Sequence, residues 1–182
     1  MTGQFVHLHL HSEYSLVDGT VRIDKLVDRA HALGMPAVAL TDHNNLFAVI
    51  KFYQAAEQKG LKPIVGAEVM LRSEGEQAER SRLVLLCRNL EGYRNLCRLV
   101  TRAYAEGQHQ GIPHVDPRWL EPLSAAGLVA LLGAGSDVGL AVADGSVERA
   151  TARLRAWRNV FGPDFYLEVT RTGRAGEARF LE

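Results

Sequence analysis

Short apolar segments alternate with amphipathic segments along most of this chain. The apolar segments are short and bounded by turn residues, which is typical of strands: residues 5–10, 37–40, 62–71, 83–87, 128–132 and 165–169. Between them, apolar side chains recur at helical spacing in four segments: residues 23–33, 46–60, 93–104 and 147–161. The alternation predicts parallel β/α units, as a barrel or as an open doubly wound sheet, and periodicity does not choose between the two.

The length of 182 residues fits one globular domain with a buried core. Residues 73–82 are charged and lack periodicity, which predicts a surface loop. Residues 106–122 contain glycines and three prolines, which predicts irregular structure. Residues 173–182 have the character of a helix that has only begun, so we expect a fragment whose fold continues past Glu182.

The net charge and the composition of the N-terminus limit the functions and locations that we expect for the protein. Basic and acidic residues each total 21, so the formal net charge is zero and bulk charge supplies no grip on a nucleic-acid backbone. The N-terminus has neither a basic leader nor an apolar signal core, and no segment approaches the roughly 20 apolar residues of a membrane span. We therefore expect a cytoplasmic protein without membrane association. Cys87 and Cys97 are assigned to packing as reduced thiols.

Three histidines alternate with apolar residues in the first predicted strand. His7, His9 and His11 would share one face of that strand, because strand side chains alternate between faces. Imidazoles at positions i and i+2 are a common way to offer nitrogen ligands to zinc or manganese. A polar strand face is the alternative, but three of only seven histidines stand here, which favours a site in which one of the three acts as an outer partner. Histidines on a helix or in the irregular stretch are predicted to be solvated: His31, His109 and His114.

Further ligand types accompany the next predicted strands. The tripeptide Thr41-Asp42-His43 follows the second strand, Glu68 lies in the GAE turn of the third, and Asp18 lies in the loop after the first. Barrels carry their sites at the carboxyl ends of strands, so we expect Asp18, His43 and Glu68 to converge on the histidine pair. The acidic residues of these features also have structural alternatives. Asp18 could form a turn, Asp42 could cap a helix and Glu68 could be a charge at a sheet edge.

Four blocks of the sequence resemble one known family. They are FVHLHLHSEYSLVDG, GMPAVALTDHNNLFAVIKFY, GLKPIVGAEV and LLCRNLEGYRNLCRLVTRAY. Together they are similar to the polymerase-and-histidinol-phosphatase (PHP) domain that opens bacterial DNA polymerase III alpha subunits. The HxH and TDH motifs are shared with histidinol phosphatases, whereas EGYRNLCRLVTRAY and FYLEVTRTGR resemble the replicative polymerase branch.

The resemblance implies a distorted seven-stranded β/α barrel with up to three metal ions at the carboxyl ends of its strands. The expected fold class is therefore α/β, an incomplete distorted (β/α)7 barrel, with residues 1–182 forming one PHP domain that stops before its last strand. By resemblance, the metal ligands are His9, His11, Asp18, His43 and Glu68. His7 stands where relatives often have aspartate.

Two positions depart from the family pattern. Arg82 stands where many active relatives have a histidine, and Ala134 stands where they have a cysteine. The closing Asp-x-His motif would follow a seventh strand beyond Glu182. Because a guanidinium does not ligate a cation and repels a neighbouring one, we expect one or two ions of zinc or manganese rather than three.

These departures favour a structural and docking role over catalysis. The partners implied by resemblance are the rest of the polymerase alpha chain, the proofreading exonuclease subunit, other replisome subunits and, through the parent protein, DNA. One alternative is an active metal-dependent phosphoesterase, 3'-5' exonuclease or pyrophosphatase that uses the retained motifs. Another is a stand-alone histidinol-phosphatase-like enzyme, which the polymerase-like blocks oppose. Magnesium-dependent polymerisation would need the acids of a palm domain, which these 182 residues lack, so we expect that the fragment does not polymerise. Whether it is an enzyme at all then depends on the phosphoesterase alternative.

Overall fold

The computed structural model describes residues 5–16, 18–72 and 81–171. Five helices occupy these ranges: α1 Ile23–Ala32, α2 Val49–Gln58, α3 Leu90–Glu106, α4 Asp137–Ala143 and α5 Val147–Phe161. Seven strands accompany them: β1 Ala37–Leu40, β2 Lys62–Met70, β3 Arg82–Cys87, β4 Gln108–His109, β5 Ile112–Pro113, β6 Leu128–Leu132 and β7 Phe165–Leu167. Residues 73–80 of the predicted surface loop and the helix predicted from residue 173 lie outside the described residues.

The main sheet has the strand order β1-β2-β3-β6-β7, with helices on its face, and the fold is α/β and consistent with part of a β/α barrel. The expectation that all strands run parallel is wrong. The β1–β2 and β6–β7 pairs are parallel, whereas β3 runs antiparallel to both of its neighbours, β2 and β6. No helix is described between β2 and β3, and antiparallel strands need no helical crossover, whereas parallel strands do.

The first predicted strand, residues 5–10, is not a regular strand. Its carbonyls do accept hydrogen bonds from β1 and the residue that follows it, because Ala39 N–H donates to His7 O and Thr41 N–H donates to Leu10 O. Between these two hydrogen bonds the chain advances two residues from Ala39 to Thr41 but three residues from His7 to Leu10. One extra residue in the N-terminal segment therefore interrupts the parallel ladder. Leu10 N–H turns instead to the Thr41 hydroxyl oxygen, 2.8 Å away.

The stretch predicted to be irregular contains the β4–β5 hairpin and a short 3-10 helix, Pro117–Trp119. Helix α4 was not predicted. It has only seven residues, and its start is marked by Ser136, whose hydroxyl accepts from Gly139 N–H. Over the described residues, no helix combines the length and the apolar character needed to cross a membrane.

The hydrophobic core lies mainly between the helices and one face of the sheet. Helices α1 and α2 cover β1 with a cluster that includes Ile23, Leu40 and Phe52. Helices α3 and α5 cover β2, β3 and β6 with a larger cluster that includes Leu85 and Trp157. Fully burying each such large side chain stabilises the fold by roughly 1.5–3 kcal/mol. A smaller cluster lies on the other face of the sheet: Ala39, Val84, Leu86 and Leu131. Packing on both faces fixes the strands, and the polar side chains at their ends are thereby held in place.

Candidate metal centre

The carboxylate of Glu68 is the centre of the site. Glu68 is 4% exposed and lies inside β2, opposite Val84 of β3, rather than in the turn that the sequence suggested. Its backbone N–H faces the carbonyls of Thr41 and Asp42, at 3.3 and 3.2 Å. Because strand pairs hold its backbone on both sides, the carboxylate occupies a fixed position.

His9 and His11 present their Nε2 atoms to the two oxygens of this carboxylate. His9 Nε2 lies 3.4 Å from Glu68 Oε1, and His11 Nε2 lies 3.4 Å from Glu68 Oε2. One ligand atom from each of the three residues lies within 4.8 Å of the other two. The contact of His11 Nε2 with Glu68 lacks hydrogen-bond geometry, so among the described residues this buried nitrogen has no hydrogen-bond partner, as expected of a nitrogen that binds a cation. Two imidazole nitrogens and a carboxylate suit zinc or manganese.

The other ring nitrogen of each histidine faces a second carboxylate. Glu168 accepts from His9 Nδ1 at 2.9 and 3.0 Å, and Asp18 lies 3.2 Å from His11 Nδ1. Such outer carboxylates orient a metal-binding imidazole and fix which nitrogen carries the proton. The structure thus places Asp18, whose side chain is 42% exposed, against His11, and its role as a direct ligand stays a prediction.

His43 lies beside the cluster but outside the group of three. Its Nδ1 is 3.2 Å from Glu68 Oε2, and its ring centroid is 6.3 Å from that of His11. Its backbone N–H donates to the hydroxyl of Ser15, so the loop after β1 is tied to the N-terminal segment. Ligation by His43 therefore also stays a prediction.

The remaining histidines lie elsewhere. His7 is exposed and packs edge-to-face on Phe5, with ring centroids 4.7 Å apart. His31 and His109 are exposed, as predicted. The prediction that His114 is solvated is wrong: it is 3% exposed, and its Nδ1 lies 2.9 Å from Ile112 O, because the β4–β5 hairpin turns it inward.

Arg82 contacts the central carboxylate directly. Its guanidinium donates to Glu68 Oε2 at 3.4 Å, and its side chain is 45% exposed. The positive charge lies against the carboxylate that would also hold a metal ion. It offsets the negative charge of Glu68 and so weakens the attraction of this carboxylate for further cations. Ala134, which has no ligand atom in its side chain, is exposed after β6.

The electrostatics of the cluster favour an ionised Glu68 and a protonated His9. Burial alone would raise the pKa of Glu68, but hydrogen bonds from His43 and His9 and the charges of His9 and Arg82 hold it well below its usual range. Burial alone would lower the pKa of His9, but hydrogen bonds to Glu168 and Glu68 and their charges raise it to about 9. The proton on His9 and the guanidinium of Arg82 therefore both stabilise the ionised carboxylate of Glu68.

A buried network of hydrogen bonds holds the histidine segment, residues 7–11, in place. Asp42 is 2% exposed, and its carboxylate accepts from Ser12 N–H at 2.6 Å, from the Ser12 hydroxyl at 2.8 and 2.9 Å, and from the Ser15 hydroxyl at 2.9 Å. Ser12 directly follows His11. The network therefore substitutes for the missing strand ladder and sets where the HxH histidines lie.

Glu168 is the site residue that sequence reasoning missed. It follows β7 directly, and its backbone N–H donates to Leu132 O at 2.9 Å. The signal was available, because an acid at the carboxyl end of a predicted strand is the same feature that singled out Glu68.

The arrangement of this fold is shared with a solved structure. The structure is that of a candidate metal-dependent phosphoesterase from Bifidobacterium adolescentis, with a TM-score of 0.56 over 97% of this chain and 80% of that chain. At 18% identity, the likeness is one of fold. The fold and the histidine–carboxylate cluster define the class of protein: a β/α domain with a group of side chains that could hold a metal ion.

Residues 7–172 match the PHP domain, and the chain belongs to this family. Relatives that match the chain carry the name DNA polymerase III subunit alpha. The chain is 46% identical to that of Pseudomonas aeruginosa over all of its length, and 42% and 38% identical to those of Vibrio cholerae and Escherichia coli over 98% of its length. It spans about 15% of the length of each of these relatives.

Proposed function

We propose that this chain is the N-terminal PHP domain of a replicative DNA polymerase III alpha subunit, and that it serves mainly as a structural and docking module. The match to relatives of that name over nearly all of the chain supports the assignment. Residues 1–182 would all belong to this one domain. The polymerase activity, with its magnesium ions, belongs to the part of the parent protein beyond these residues.

The site holds one ion of zinc or manganese, with a second at most. His9 Nε2, His11 Nε2 and the carboxylate of Glu68 supply the ligands, since their atoms lie within 4.8 Å of one another and the buried His11 Nε2 has no other partner among the described residues. His43 and Asp18 complete the set from their positions beside Glu68 and His11. When bound, such an ion polarises a phosphate and lowers the pKa of water.

The observation that carries the structural role is the contact between Arg82 and Glu68. The guanidinium, 3.4 Å from Glu68 Oε2, takes up an oxygen that further ions would need, and its charge opposes their binding. A full cluster of three ions is therefore disfavoured, and the ion that does bind ties the N-terminal segment to β2. The partners of the module are the rest of the alpha chain, the proofreading exonuclease subunit and other replisome subunits. DNA is reached through the parent protein.

Elemental analysis of the protein, purified without chelator, tests the metal. We expect about one zinc or manganese ion per chain, lost in His9→Ala and Glu68→Gln and retained in His31→Ala, which removes an exposed histidine on α1. A wild-type protein without metal, even after loading with zinc or manganese, would refute the site. Size-exclusion chromatography of the full-length alpha chain mixed with the exonuclease subunit of the same bacterium tests docking. If the two proteins form no complex, the docking proposal is refuted.

An active phosphoesterase is the second candidate, and the retained His9, His11 and Glu68 cluster favours it. Hydrolysis of bis-p-nitrophenyl phosphate by the metal-loaded protein separates the two proposals. We expect no rate above that of His9→Ala. A rate that depends on His9 and disappears with chelator would instead establish the enzyme.

A further inference from the structure

Glu168 is held against His9 by its backbone and by the space around it. Its N–H bond to Leu132 O continues the β6–β7 pairing, and both carboxylate oxygens reach His9 Nδ1. Gly133 leaves room for this arrangement, since a methyl group at that position would lie 2.9 Å from Glu168 Oε2 and the carboxylate would have to shift. The Glu168 and His9 side chains are only 21% and 26% exposed, so water competes weakly for the contact.

The contact decides which nitrogen of His9 carries the proton. A carboxylate only accepts hydrogen bonds, so His9 Nδ1 must be the donor. His9 Nε2 also faces a carboxylate, Glu68 Oε1 at 3.4 Å, and the protonated ring donates to both. The Nδ1 contacts with Glu168 are shorter, at 2.9 and 3.0 Å, so in the neutral ring the proton stays on Nδ1 and the lone pair lies on Nε2. This is the tautomer that ligation through Nε2 requires.

The contact also joins the two ends of the sheet. His9 lies beside β1, at one end of the strand order, and Glu168 follows β7, at the other end. The two residues are 159 positions apart in sequence. An ion held by His9 would therefore stabilise the contact between the two ends of the sheet as well as the position of the histidine segment.

We propose that Glu168 is a positioning residue of the metal site, which holds His9 as its Nδ1–H tautomer and couples metal binding to the joining of the sheet's ends. The proposal rests on the metal site proposed above. It assigns to Glu168 no direct contact with the ion.

Two measurements test it on wild type, Glu168→Ala, Glu168→Gln and Gly133→Ala. The first is the zinc affinity by competition with a chromophoric chelator, where we expect Glu168→Ala to bind about 10–100-fold more weakly. Glu168→Gln keeps an acceptor and should fall between wild type and Glu168→Ala. Gly133→Ala displaces the carboxylate without removing it and should weaken binding as well. Asp164→Asn, which removes a carboxylate paired with Arg88 just before β7, is the matched control and should bind like wild type.

The second measurement is the tautomer of His9 in the metal-free protein, read from long-range proton–nitrogen NMR spectra at a pH where the ring is neutral. We expect Nδ1–H in wild type and a shift towards Nε2–H in Glu168→Ala. A folded Glu168→Ala protein with unchanged tautomer and an affinity within about threefold of wild type would overturn the proposal. Because this readout needs no metal, a wild-type protein that binds no zinc refutes the metal site, while the tautomer still reports on Glu168.

Discussion

Replacing Asp42 by asparagine should destabilise the protein by about 2–3 kcal/mol. The carboxylate of Asp42 accepts from three donors of two serines, Ser12 N–H and the hydroxyls of Ser12 and Ser15. Hydrogen bonds to a charged group contribute about 1.5–3 kcal/mol each, against about 0.5–1.5 for neutral pairs. The loss is therefore about 1 kcal/mol for each of the three donors, reduced somewhat because the amide no longer buries a charge.

The assay is urea unfolding of wild type and Asp42→Asn, followed by circular dichroism. For a protein of this size the expected loss corresponds to a fall of about 4–12 °C in Tm. Glu121→Gln is the matched control, since this acid is exposed, and should stay within about 0.5 kcal/mol of wild type. If Asp42→Asn were as stable as Glu121→Gln, the network would not hold the histidine segment, and the reasoning would be wrong.

Three further predictions follow from individual contacts. Gly19→Ala should cost about 1–3 kcal/mol in urea unfolding, because its methyl group would lie 1.7 Å from the backbone oxygen of Ser12; wild-type stability would contradict the close packing. Burial, with a smaller effect of a neighbouring thiol, raises the pKa of Cys87 to about 12, so iodoacetamide at pH 8 should alkylate it about 10³-fold more slowly than in the unfolded chain, by mass spectrometry of its peptide. Hydrogen bonds from Arg118 outweigh burial and lower the pKa of Asp116 to about 2, so its contribution to the free energy of unfolding should be present above pH 4 and lost as the pH falls towards 2; Asp116→Asn should lack this acid-dependent loss.

Local patterns predicted most of the regular elements. The apolar run at residues 37–40 is β1, and the stripe ending at Phe161 is α5. Both depend on residues near in sequence, where side-chain period and terminal glycines carry the signal. Helix α4 was not predicted because its seven residues make only about two turns, too few for a helical period to be recognised.

Features that depend on distant contacts were not predictable in the same way. The direction of β3 is set by its partners β2 and β6, and an apolar strand has the same appearance in either direction. The irregular path of residues 5–10 depends on the Thr41 hydroxyl, which accepts from Leu10 N–H in place of a ladder carbonyl, and Asp42 binds Ser12 just beyond this segment. The convergence of His9, His11 and Glu68 was expected from strand ends, whereas the pairing of His9 with Glu168 requires knowing that β7 lies at the far end of the sheet.

A bound ion would be useful to this fold even without hydrolysis. The HxH segment lacks a regular strand ladder and is held by Asp42 on one side and Glu168 on the other. An ion that binds only the folded chain adds about 2.7 kcal/mol at a free concentration 100 times its Kd. That is comparable to the whole contribution expected from Asp42. We expect Arg82 to reduce the number of ions that bind. It leaves the Nε2 atoms of His9 and His11 facing Glu68, so the geometry proposed to stabilise the segment is kept.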